Sequence, residues 1–417
     1  MHKIGLNIWI IVYKLLIDFC VNVVYTLVMR DIRDIPTPAF ASELNTVIVE
    51  LEKLREKRLR GSVPPYVFFQ LKEIFQVLES LGSNRIEGNR TTVSEYAEKV
   101  ISGVSPETDE SMREIVNLDR AIEFLEQQVR PGTPITRAIL SEAHKLIVAD
   151  LTPYPDGEGS KYPGAYRKEN VHITGSEVET SPHHLVAAHC DELLKFVNAD
   201  YATQFHLLVI ALAHHRMTVI HPFDNGNGRL VRLLTYAQLL QQGFSVKSGR
   251  ILNPTAIFCD DRNRYYEMLS RADTWSDEGM LEWCLYVLKG LAREIEKIDN
   301  LLDRVFLRDQ LLLPMLERSK KNGYITAQEK KVLDFIVEDS EDMTLRAGDL
   351  NPLLGIEQSV QRSRVINRLL EKKLIHPIED GGRIYTISFF GNYLFRDLTQ
   401  VLIEKDFVPA SLNAEQT

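Results

Sequence analysis

The feature that most constrains this chain is a short polar loop between two apolar runs. The loop has the sequence HPFDNGNGRLVR over residues 221–232. The apolar runs, 205–220 before it and 230–240 after it, are each long enough to form a buried helix. The sequence therefore predicts a helix–loop–helix unit whose polar loop lies at the junction of two buried helices.

The residue types in this loop favour an anionic ligand. Gly226 and Gly228 can adopt backbone conformations that turn several N–H groups toward one point, and a helix that starts beside them favours an anion at its N-terminus. Arg229 and Arg232 lie one helical turn apart, so both guanidinium groups can bind the same phosphate-rich ligand. His221 lies just before these groups, where a neutral imidazole can accept a proton from an attacking hydroxyl.

Length and composition set broad limits. A chain of 417 residues is typical of about two to three domains, and a hydrophobic fraction of 44% allows large cores. The net charge of −9 argues against nucleic-acid binding over the whole surface, although a local basic patch is compatible with it. The four cysteines contain no Cys-X-X-Cys pair, which is typical of a reducing compartment and indicates no zinc site. We therefore expect a cytoplasmic protein.

Residues 4–29 form an apolar run that is interrupted by Lys14 and Asp18. The run is long enough to span a bilayer, but charges near its middle oppose insertion. Three interpretations stay open: a membrane anchor, a buried or partner-binding segment, and a translation start at Met29 instead of Met1. No small-residue cleavage site follows the run, so a secretory signal is not expected.

Helical periodicity dominates the chain around the central loop. Amphipathic spacing, Pro starts and a capping box at Thr92 and Glu95 predict the helix boundaries. The predicted helices before the loop are 43–60, 66–81, 92–100, 105–127, 134–149 and 182–196. Between two of them, Ser83 could cap a short separate helix that Gly88 ends.

Residues 164–175 carry the clearest β pattern in the first 300 residues. Val171 and Ile173 alternate with polar residues, and glycines bound the segment at 164 and 175. A small hairpin of this kind is marginally stable alone, so it must pack on helices or pair with another chain.

The pattern changes again after Thr326. Three helices are predicted, followed by two strands around the turn at 380–382, which together form the winged-helix pattern. The third helix, 359–374, carries the basic residues Arg362, Arg364, Arg368, Lys372 and Lys373. Such a helix could enter a DNA major groove, or the module could instead contact a protein with its basic face solvated.

The central loop resembles the signature of Fic-domain proteins, HxFx(D/E)GNGRxxR. The matching residues are His221, Phe223, Gly226, Asn227, Gly228, Arg229 and Arg232. Gly164 and Arg167 in the expected hairpin are similar to the family's flap, and the resemblance extends roughly over residues 83–295. It implies a mainly α fold with a Fic-type helical core and a small β-hairpin flap, to which the element pattern after Thr326 adds a C-terminal winged-helix domain.

By this resemblance the reaction is transfer of AMP from ATP to a Ser, Thr or Tyr hydroxyl of a target protein, which can include this chain itself. His221 would be the general base, and the flap would bind the target segment by strand addition. The implied ATP-binding residues are Asn225, Gly226, Asn227, Gly228, Arg229, Arg232, Tyr265 and Tyr266. The implied target-binding residues are Gly164, Arg167, Val171 and Ile173.

The segment SNRIEG at 83–88 matches the family's inhibitory motif, (S/T)xxxE(G/N). The resemblance implies that Ser83, Glu87 and Gly88 form this motif and that Glu87 pairs with Arg232. A carboxylate there would occupy a phosphate clamp and place negative charge where the γ-phosphate should lie, so it would disfavour productive ATP binding.

One position departs from the family pattern. The family's acidic metal ligand falls at position 225, where this chain has Asn225, and Asp224 lies one residue early. The resemblance implies Mg²⁺ or Mn²⁺ as cofactor, with a carbonyl oxygen from Asn225 or, after a shift of the loop, the Asp224 carboxylate as ligand.

The expected organisation follows from these patterns. It comprises an apolar segment 1–30, a helical region 31–130 with the inhibitory motif, a Fic core 131–295, a helical connector 296–325, a winged-helix domain 326–400 and a tail 401–417. Two other functions stay open: a Fic-type enzyme that uses another nucleotide donor or removes AMP, and a winged-helix DNA-binding regulator with a degenerate Fic core. A homo-oligomer is compatible with either.

Overall fold

The computed structural model describes residues 35–56, 62–173, 175–244 and 256–413. The apolar run at 4–29 and the end of the expected tail lie outside these residues. The described part is mainly helical with one small sheet, as the sequence predicts. Its helices include none that is both long enough and apolar enough to cross a bilayer.

The helices of the first part surround the central loop. They are α1 Glu43–Glu56, α2 Pro65–Ile86, α3 Val93–Ile101, α4 Glu110–Gln128, α5 Arg137–Ile147, α6 Val186–Val197, α7 Thr203–Ile220 and α8 Asn227–Gln241. Those that follow are α9 Ala256–Cys259, α10 Arg262–Ala272, α11 Asp277–Leu302 and α12 Leu313–Lys321. A single turn Arg304–Phe306 and a π-helical stretch Leu307–Leu312 join α11 to α12.

Capping side chains decide where several helices begin. The capping box of Thr92 and Glu95 starts α3 as predicted. Helix α4 starts later than the predicted position 105, because the Asp109 carboxylate accepts a hydrogen bond from the Met112 N–H at 3.0 Å. Thr136 caps α5 in the same way, through the Ile139 N–H.

Helix α2 differs from its prediction. It does not end near Gly82 but continues to Ile86, so Ser83 lies inside the last turn and is not the cap of a separate helix. Gly82 allows close packing instead, since a Cβ atom built there would lie 3.1 Å from the Cβ of Cys259. Gly88, with φ +111°, lies just beyond the helix end.

Helices α7 and α8 form the centre of the molecule. Both are buried on nearly all sides, which explains why their sequences show little amphipathic periodicity. Trp283 of α11 packs against α7 and donates its indole N–H to the Ala211 carbonyl at 2.6 Å. The polar loop between α7 and α8 is therefore fixed by a large apolar core at both ends.

The C-terminal part has the order of elements that the winged-helix pattern predicts. Its elements are α13 Ala327–Glu338, β1 Leu345–Arg346, α14 Leu350–Leu354, α15 Ser359–Glu371, β2 Ile375–Pro377, β3 Ile384–Ile387 and α16 Leu394–Glu404. The strands form an antiparallel sheet in the order β1-β3-β2, with Ile375 opposite Ile387. The domain assignment itself stays a prediction.

This C-terminal sheet docks on helix α2. The Gln70 side chain donates to the Ile387 carbonyl at 3.0 Å and accepts from the Phe389 N–H at 3.1 Å. One helix therefore contacts the C-terminal sheet near its start and carries the SNRIEG segment at its end.

The expected flap is a loop in the described residues. Residues 164–173 and 175 form no strand ladder, so the hairpin predicted there is absent from this structure. Side-chain contacts hold the segment instead: Thr180 donates its hydroxyl to the Val171 carbonyl, and the Asn170 side chain accepts from the His183 N–H at 2.8 Å. Two short strands without a third partner gain too little to outweigh such contacts.

Candidate functional site

His221 lies at the end of α7 in the left-handed conformation, with φ 48° and ψ 61°. Its Nδ1 lies 3.2 Å from the Thr218 carbonyl oxygen. Because a carbonyl can only accept, Nδ1 carries the proton and the Nε2 lone pair is available. Burial lowers the pKa of the His221 imidazole to about 4, so the ring is neutral at pH 7. These properties suit a general base.

Arg167 ties the expected flap to this histidine. Its Nε donates to the His221 carbonyl at 2.8 Å, and its backbone N–H donates to the Pro222 carbonyl at 2.9 Å. Its Nη1 donates to the Glu169 carbonyl at 2.6 Å, and the side chain is buried. Arg167, which the resemblance implied to bind a target, holds the flap beside His221 in this structure, and its target-binding role stays a prediction.

The loop itself is held by Asn227 and Gly226. The Asn227 side chain accepts from the Phe223 N–H and donates to the Phe223 carbonyl, both at 2.9 Å. Its amide is thus committed to the loop, and a phosphate would meet its backbone. Gly226 has φ 75° and directly precedes α8, which leaves the backbone N–H groups of the first turn as anion donors.

His144 of α5 is a residue that the sequence did not single out. Its Nδ1 accepts from the Gly164 N–H at 2.8 Å, so its Nε2 carries the proton and donates to the Asn225 carbonyl at 3.0 Å. Its ring stacks on Phe223 at 3.8 Å, and burial lowers its pKa to about 4. A neutral His144 therefore links the start of the flap to the anion-binding loop.

Arg232 is buried at one end of the site and is engaged there through Nε and Nη2. Its Nη2 donates to Glu87 Oε1 at 2.7 Å and to the Ser83 carbonyl at 2.9 Å, and its Nε donates to the Ser83 hydroxyl at 2.7 Å. The pairing of Glu87 with Arg232 that the resemblance implied is thus present in the structure. Burial alone would lower the pKa of Arg232, but the Glu87 charge raises it.

The Glu87 carboxylate also covers the first turn of α8. A Cβ atom built on Gly228 would lie only 2.3 Å from Glu87 Oε1, so the glycine is needed for this approach. Burial alone would raise the pKa of the Glu87 carboxyl, but Arg232 and Arg229 lower it below its ordinary value. The carboxylate therefore occupies the place of an anionic ligand. Gly88 makes no such contact, and its role is to end the turn after Glu87.

Arg229 marks the other end of the site, and its partner was not predicted. Its Nη2 donates to the Glu158 carbonyl at 2.8 Å and to Glu158 Oε2 at 3.2 Å. The guanidinium is buried, and its Nε and Nη1 have no hydrogen-bond partner among the described residues. Buried donors of this kind are costly unless a ligand binds them, so they indicate an anion site.

The two residues expected to bind a metal, Asp224 and Asn225, both use side-chain oxygens for hydrogen bonds within the protein. Asp224 accepts from the Ser160 hydroxyl at 2.5 Å and from the Lys161 N–H at 2.8 Å, which commits it to the neighbouring loop. The Asn225 side-chain oxygen accepts from the Gly226 N–H at 2.8 Å. The described residues contain no group of three or more His, Cys, Asp or Glu arranged to hold a metal ion.

The two tyrosines expected near the nucleotide base lie in different environments. Tyr265 is buried, and its hydroxyl lies 2.9 Å from His214 Nε2 within an aromatic cluster around Trp283. Its ring belongs to the core, and in this structure it offers no open face to a base. Tyr266 is 44% exposed, with Arg262 over its ring at 5.6 Å.

Comparison with known proteins gives a consistent result. Residues 134–239 match the sequence model of the Fic/DOC family. Proteins named protein adenylyltransferase Fic from Drosophila yakuba and Drosophila melanogaster are 27% and 26% identical over 191 residues, which is 45% of this chain and 35% of each relative. The matched segment thus spans about a third of those relatives.

The solved structures similar to this chain include two bacterial proteins. A Fic family protein from Desulfovibrio desulfuricans is 20% identical, with a TM-score of 0.48 over 85% of this chain and 98% of that protein. A Fic domain-containing signaling protein from Bacteroides thetaiotaomicron is 18% identical, with a TM-score of 0.47 over 63% of this chain and 98% of that protein.

Proposed function

We propose that this protein, in which residues 134–239 form a Fic domain, is an autoinhibited protein adenylyltransferase that transfers AMP from ATP to a hydroxyl of a target protein. The observation that carries the proposal is that three functional groups lie together at the loop 221–232. His221 presents a free Nε2, the first turn of α8 presents N–H groups, and Arg229 presents unpaired buried donors. A base beside a triphosphate site fits nucleotidyl transfer.

The proposed reaction balances without a covalent enzyme intermediate. His221 Nε2 takes the proton of the target hydroxyl, and the hydroxyl oxygen attacks the α-phosphorus of ATP. A new phosphoester bond forms as the bond between the α-phosphorus and its bridging oxygen breaks, and pyrophosphate leaves. Arg229 and, once released, Arg232 stabilise the charge that develops on pyrophosphate.

In the described conformation the site is inhibited by the chain itself. Glu87 neutralises Arg232 and covers the first turn of α8, where the phosphates would bind. ATP would bring negative charge next to this carboxylate and would find one phosphate clamp occupied. Removal of the Glu87 side chain is therefore expected to raise both ATP affinity and transfer.

The target would dock on the loop at 164–173. Val171 and Ile173 are half buried while His172 between them is exposed, as in an extended segment with one face on the protein. Since this segment has no strand partner in the described structure, a target strand could pair with it and place its hydroxyl near His221. Arg167 and His144 would keep that strand in register with the base.

A divalent cation fits this reaction because it would neutralise part of the phosphate charge. The residues of the signature loop do not provide a free carboxylate for it, since Asp224 is bound to Ser160 and Lys161. The proposed roles of Asn225 and the backbone of 225–228 are to shape the phosphate site.

The C-terminal module is not part of the proposed chemistry. Two basic side chains in or next to α15 are paired within the protein: Arg362 donates to the Ile356 and Glu357 carbonyls, and Lys372, which directly follows the helix, contacts Glu329 at 2.8 Å. Pairing of this kind reduces the positive charge that DNA phosphates would meet. DNA binding by this helix stays a prediction.

One gel can test donor, base and inhibition together. Wild type, Glu87→Gly and His221→Ala/Glu87→Gly proteins would be incubated with ATP labelled on either the α- or the γ-phosphate, with Mg²⁺ and with a cell lysate. We expect protein labelling only from the α-phosphate, stronger for Glu87→Gly than for wild type. The His221 substitution should lower labelling by about a hundredfold or more, because a general base contributes at least that much.

Two outcomes would count against the proposal. Labelling from the γ-phosphate would indicate phosphate transfer, and labelling of the Glu87→Gly protein that survives the His221 substitution would remove the assigned base. A parallel panel with GTP, UTP and CDP-choline tests the donor, since a protein adduct formed only with one of these would support the alternative of a different donor.

A further inference from the structure

We infer that Glu158 supplies the carboxylate that holds the divalent cation of bound ATP, in place of the acidic residue that position 225 lacks. The inference rests on the proposed function, because it assumes that ATP binds at the α8 N-terminus. It assigns a role to a residue in the loop at 151–164, outside the signature loop.

The turn that carries Glu158 is tightly built. A Cβ atom on Gly157 would lie 2.6 Å from the Thr152 carbonyl oxygen, and one on Gly159 would lie 2.3 Å from the Leu151 carbonyl oxygen. Neither neighbour of Glu158 can therefore carry a side chain without a change of the backbone. The Glu110 carboxylate anchors the start of the turn by accepting from the Thr152 N–H at 2.6 Å. This geometry fixes the direction in which the Glu158 side chain leaves the backbone.

That side chain points between position 225 and Arg229. Glu158 Oε2 lies 3.4 Å from Asn225 Nδ2 and 3.2 Å from Arg229 Nη2, and the Gly159 carbonyl oxygen lies 3.2 Å from the same Asn225 nitrogen. A carboxylate from the neighbouring loop thus lies next to the side chain where the signature would place its own acid. The Glu158 side chain is 33% exposed, so a cation can reach it.

The surroundings fit a cation bound together with phosphates. Mg²⁺ is commonly held by one or two carboxylates, by phosphate oxygens and by waters. Arg229 provides the independent sign of the phosphates, because its Nε and Nη1 are buried without partners in the described part of the chain. A phosphate that these donors bind would lie beside Glu158, and a cation between the two would bridge carboxylate and phosphate.

The local charge is consistent with this arrangement. Burial raises the pKa of the Glu114 carboxyl, Arg229 lowers it, and the nearby Glu158 and Glu110 charges raise it further. Arg229 is thus a cation that offsets the charge of Glu114, and its remaining donors face a phosphate in the proposed complex. A divalent cation would restore the charge balance when ATP engages Arg229.

Two other roles for Glu158 make different predictions. If Glu158 only blocks Arg229, its neutral variant binds ATP more tightly with and without Mg²⁺. If it only orients Arg229, the variant binds ATP more weakly to the same extent in both conditions. As a cation ligand, it changes ATP affinity only when the cation is present.

The experiment measures ATP binding by calorimetry, with Mg²⁺ or with EDTA, and needs no transfer reaction. All proteins carry Glu87→Gly so that the site is open. The variants are Glu158→Gln, Glu158→Gln with Asn225→Asp, and Asp156→Asn. Asp156 is an exposed carboxylate in the same loop and serves as the matched control. Electron paramagnetic resonance of Mn²⁺ with ATP reports the cation directly.

We expect Mg²⁺ to tighten ATP binding to the parent and to Asp156→Asn. In Glu158→Gln this tightening should fall by roughly tenfold or more, as for loss of a metal-site residue, while affinity in EDTA stays within about threefold. Asn225→Asp should restore it, because it returns a carboxylate to the signature position, and the Mn²⁺ signal should follow the same order.

Equal changes with Mg²⁺ and with EDTA would overturn the inference, and so would a Glu158→Gln protein that keeps the full Mg²⁺ effect. A parent that binds ATP without any effect of Mg²⁺ would overturn it while leaving the proposed function intact. A parent that binds no ATP at all would remove the proposed function, and this inference with it.

Discussion

The two arginines of the proposed phosphate site, one turn apart on α8, are held in different ways. Arg232 is engaged by helix α2, through Glu87 and both the hydroxyl and the carbonyl of Ser83. Arg229 meets Glu158 of a loop through Nη2, and its other donors have no partner among the described residues. Two arginines on the same helix thus differ in how many of their N–H donors have hydrogen-bond partners.

In the proposed function, the Arg232 end of the site is the one that is inhibited, and the Arg229 end is the one that is open to a nucleotide. At the Arg232 end the contacts come from Ser83 in the last turn of α2 and from Glu87 just after it, so release requires α2 to move or Glu87 to turn away. At the Arg229 end the contacts come from the Glu158 carbonyl and from the Glu158 side chain, which is one third exposed, and two donors of Arg229 have no partner among the described residues. A nucleotide could therefore meet Arg229 first and compete with Glu87 for Arg232 afterwards.

The largest expected effect concerns stability. Arg232→Met leaves the Glu87 carboxylate half buried without its partner, and we expect a loss of about 2–3 kcal/mol in the free energy of unfolding. Arg229→Met should cost less than about 1 kcal/mol, because Glu158 can turn to water and two unpaired donors are removed. Urea denaturation measures both. Arg232→Met with Glu87→Gln should recover part of the loss, and equal losses for the two single variants would break the comparison.

The pH dependence separates the base from the inhibitory carboxylate. Since burial lowers the pKa of His221 to about 4, the imidazole is neutral above that pH, and AMP transfer by Glu87→Gly should rise through about pH 4–5 and level off by about pH 6. The Glu87 charge raises the His221 pKa, so its removal cannot shift the rise in transfer rate to a higher pH. A limb at pH 6–7, typical of an ordinary histidine, would contradict the structure.

Glu87 has the opposite sign of dependence. Its pKa is below the ordinary value, so its ion pair with Arg232 is present above that ordinary pKa and is lost only as the pH falls through the lowered value. The ratio of transfer by Glu87→Gly to transfer by wild type should therefore stay constant from about pH 5 to pH 9. Circular dichroism at each pH checks that the fold persists.

A smaller effect is expected from Ser83→Ala. The substitution removes the hydroxyl that accepts from Arg232 Nε, which weakens the α2 end of the site by about 1 kcal/mol and should tighten ATP binding about fivefold. Ser80→Ala is the matched control, because the Ser80 hydroxyl lies on the same helix, is buried and has no hydrogen-bond partner among the described residues. Calorimetry with ATP compares the two, and a similar gain for both would argue against a specific role of Ser83.

The smallest effect is expected from Gly82→Ala. The added Cβ would lie 3.1 Å from the Cβ of Cys259, while alanine favours the helix over glycine, so the net change in stability should stay within about 1 kcal/mol. A shift of α2 by a few tenths of an ångström would relieve the contact with Cys259. Such a small shift keeps the Ser83 contacts with Arg232, so ATP affinity should change less than about threefold. Gly348→Ala, with no atom within 4 Å of the added Cβ, is the control for thermal unfolding. A larger change would show that the packing at Gly82 sets the position of Glu87.

Parts of this fold could be predicted from local patterns. The capping box at Thr92 and the buried helices around the loop appear where the sequence places them. The resemblance to Fic-domain proteins, which the family match at 134–239 confirms, implied the contact of Glu87 with Arg232 before the structure showed it. Periodicity could not show that Gly82 lies inside α2. The glycine allows the close approach of Cys259 from a helix that is distant in sequence, so it does not mark a helix end.

The missed residues share one physical cause. His144 contacts Asn225 across 81 positions, and Glu158 contacts Arg229 across 71, so neither pair leaves a local spacing signal. The glycines at 157 and 159 were the available clue to Glu158. They indicated a loop rich in turns but did not indicate a role for the residue between them. Asn227 shows the reverse case: its type matched the signature, but its amide holds the loop.

The sequence by itself determined the chemistry of the central loop: a histidine, two glycines and two arginines at fixed spacing between apolar helices. Residue types and short spacings decide which groups one turn can present together. The tertiary structure alone decided that Glu158 meets Arg229 and which donors of Arg229 stay unpaired. Those contacts join segments far apart in the chain, and they form only when burial brings the segments together and sets the cost of leaving a charge alone.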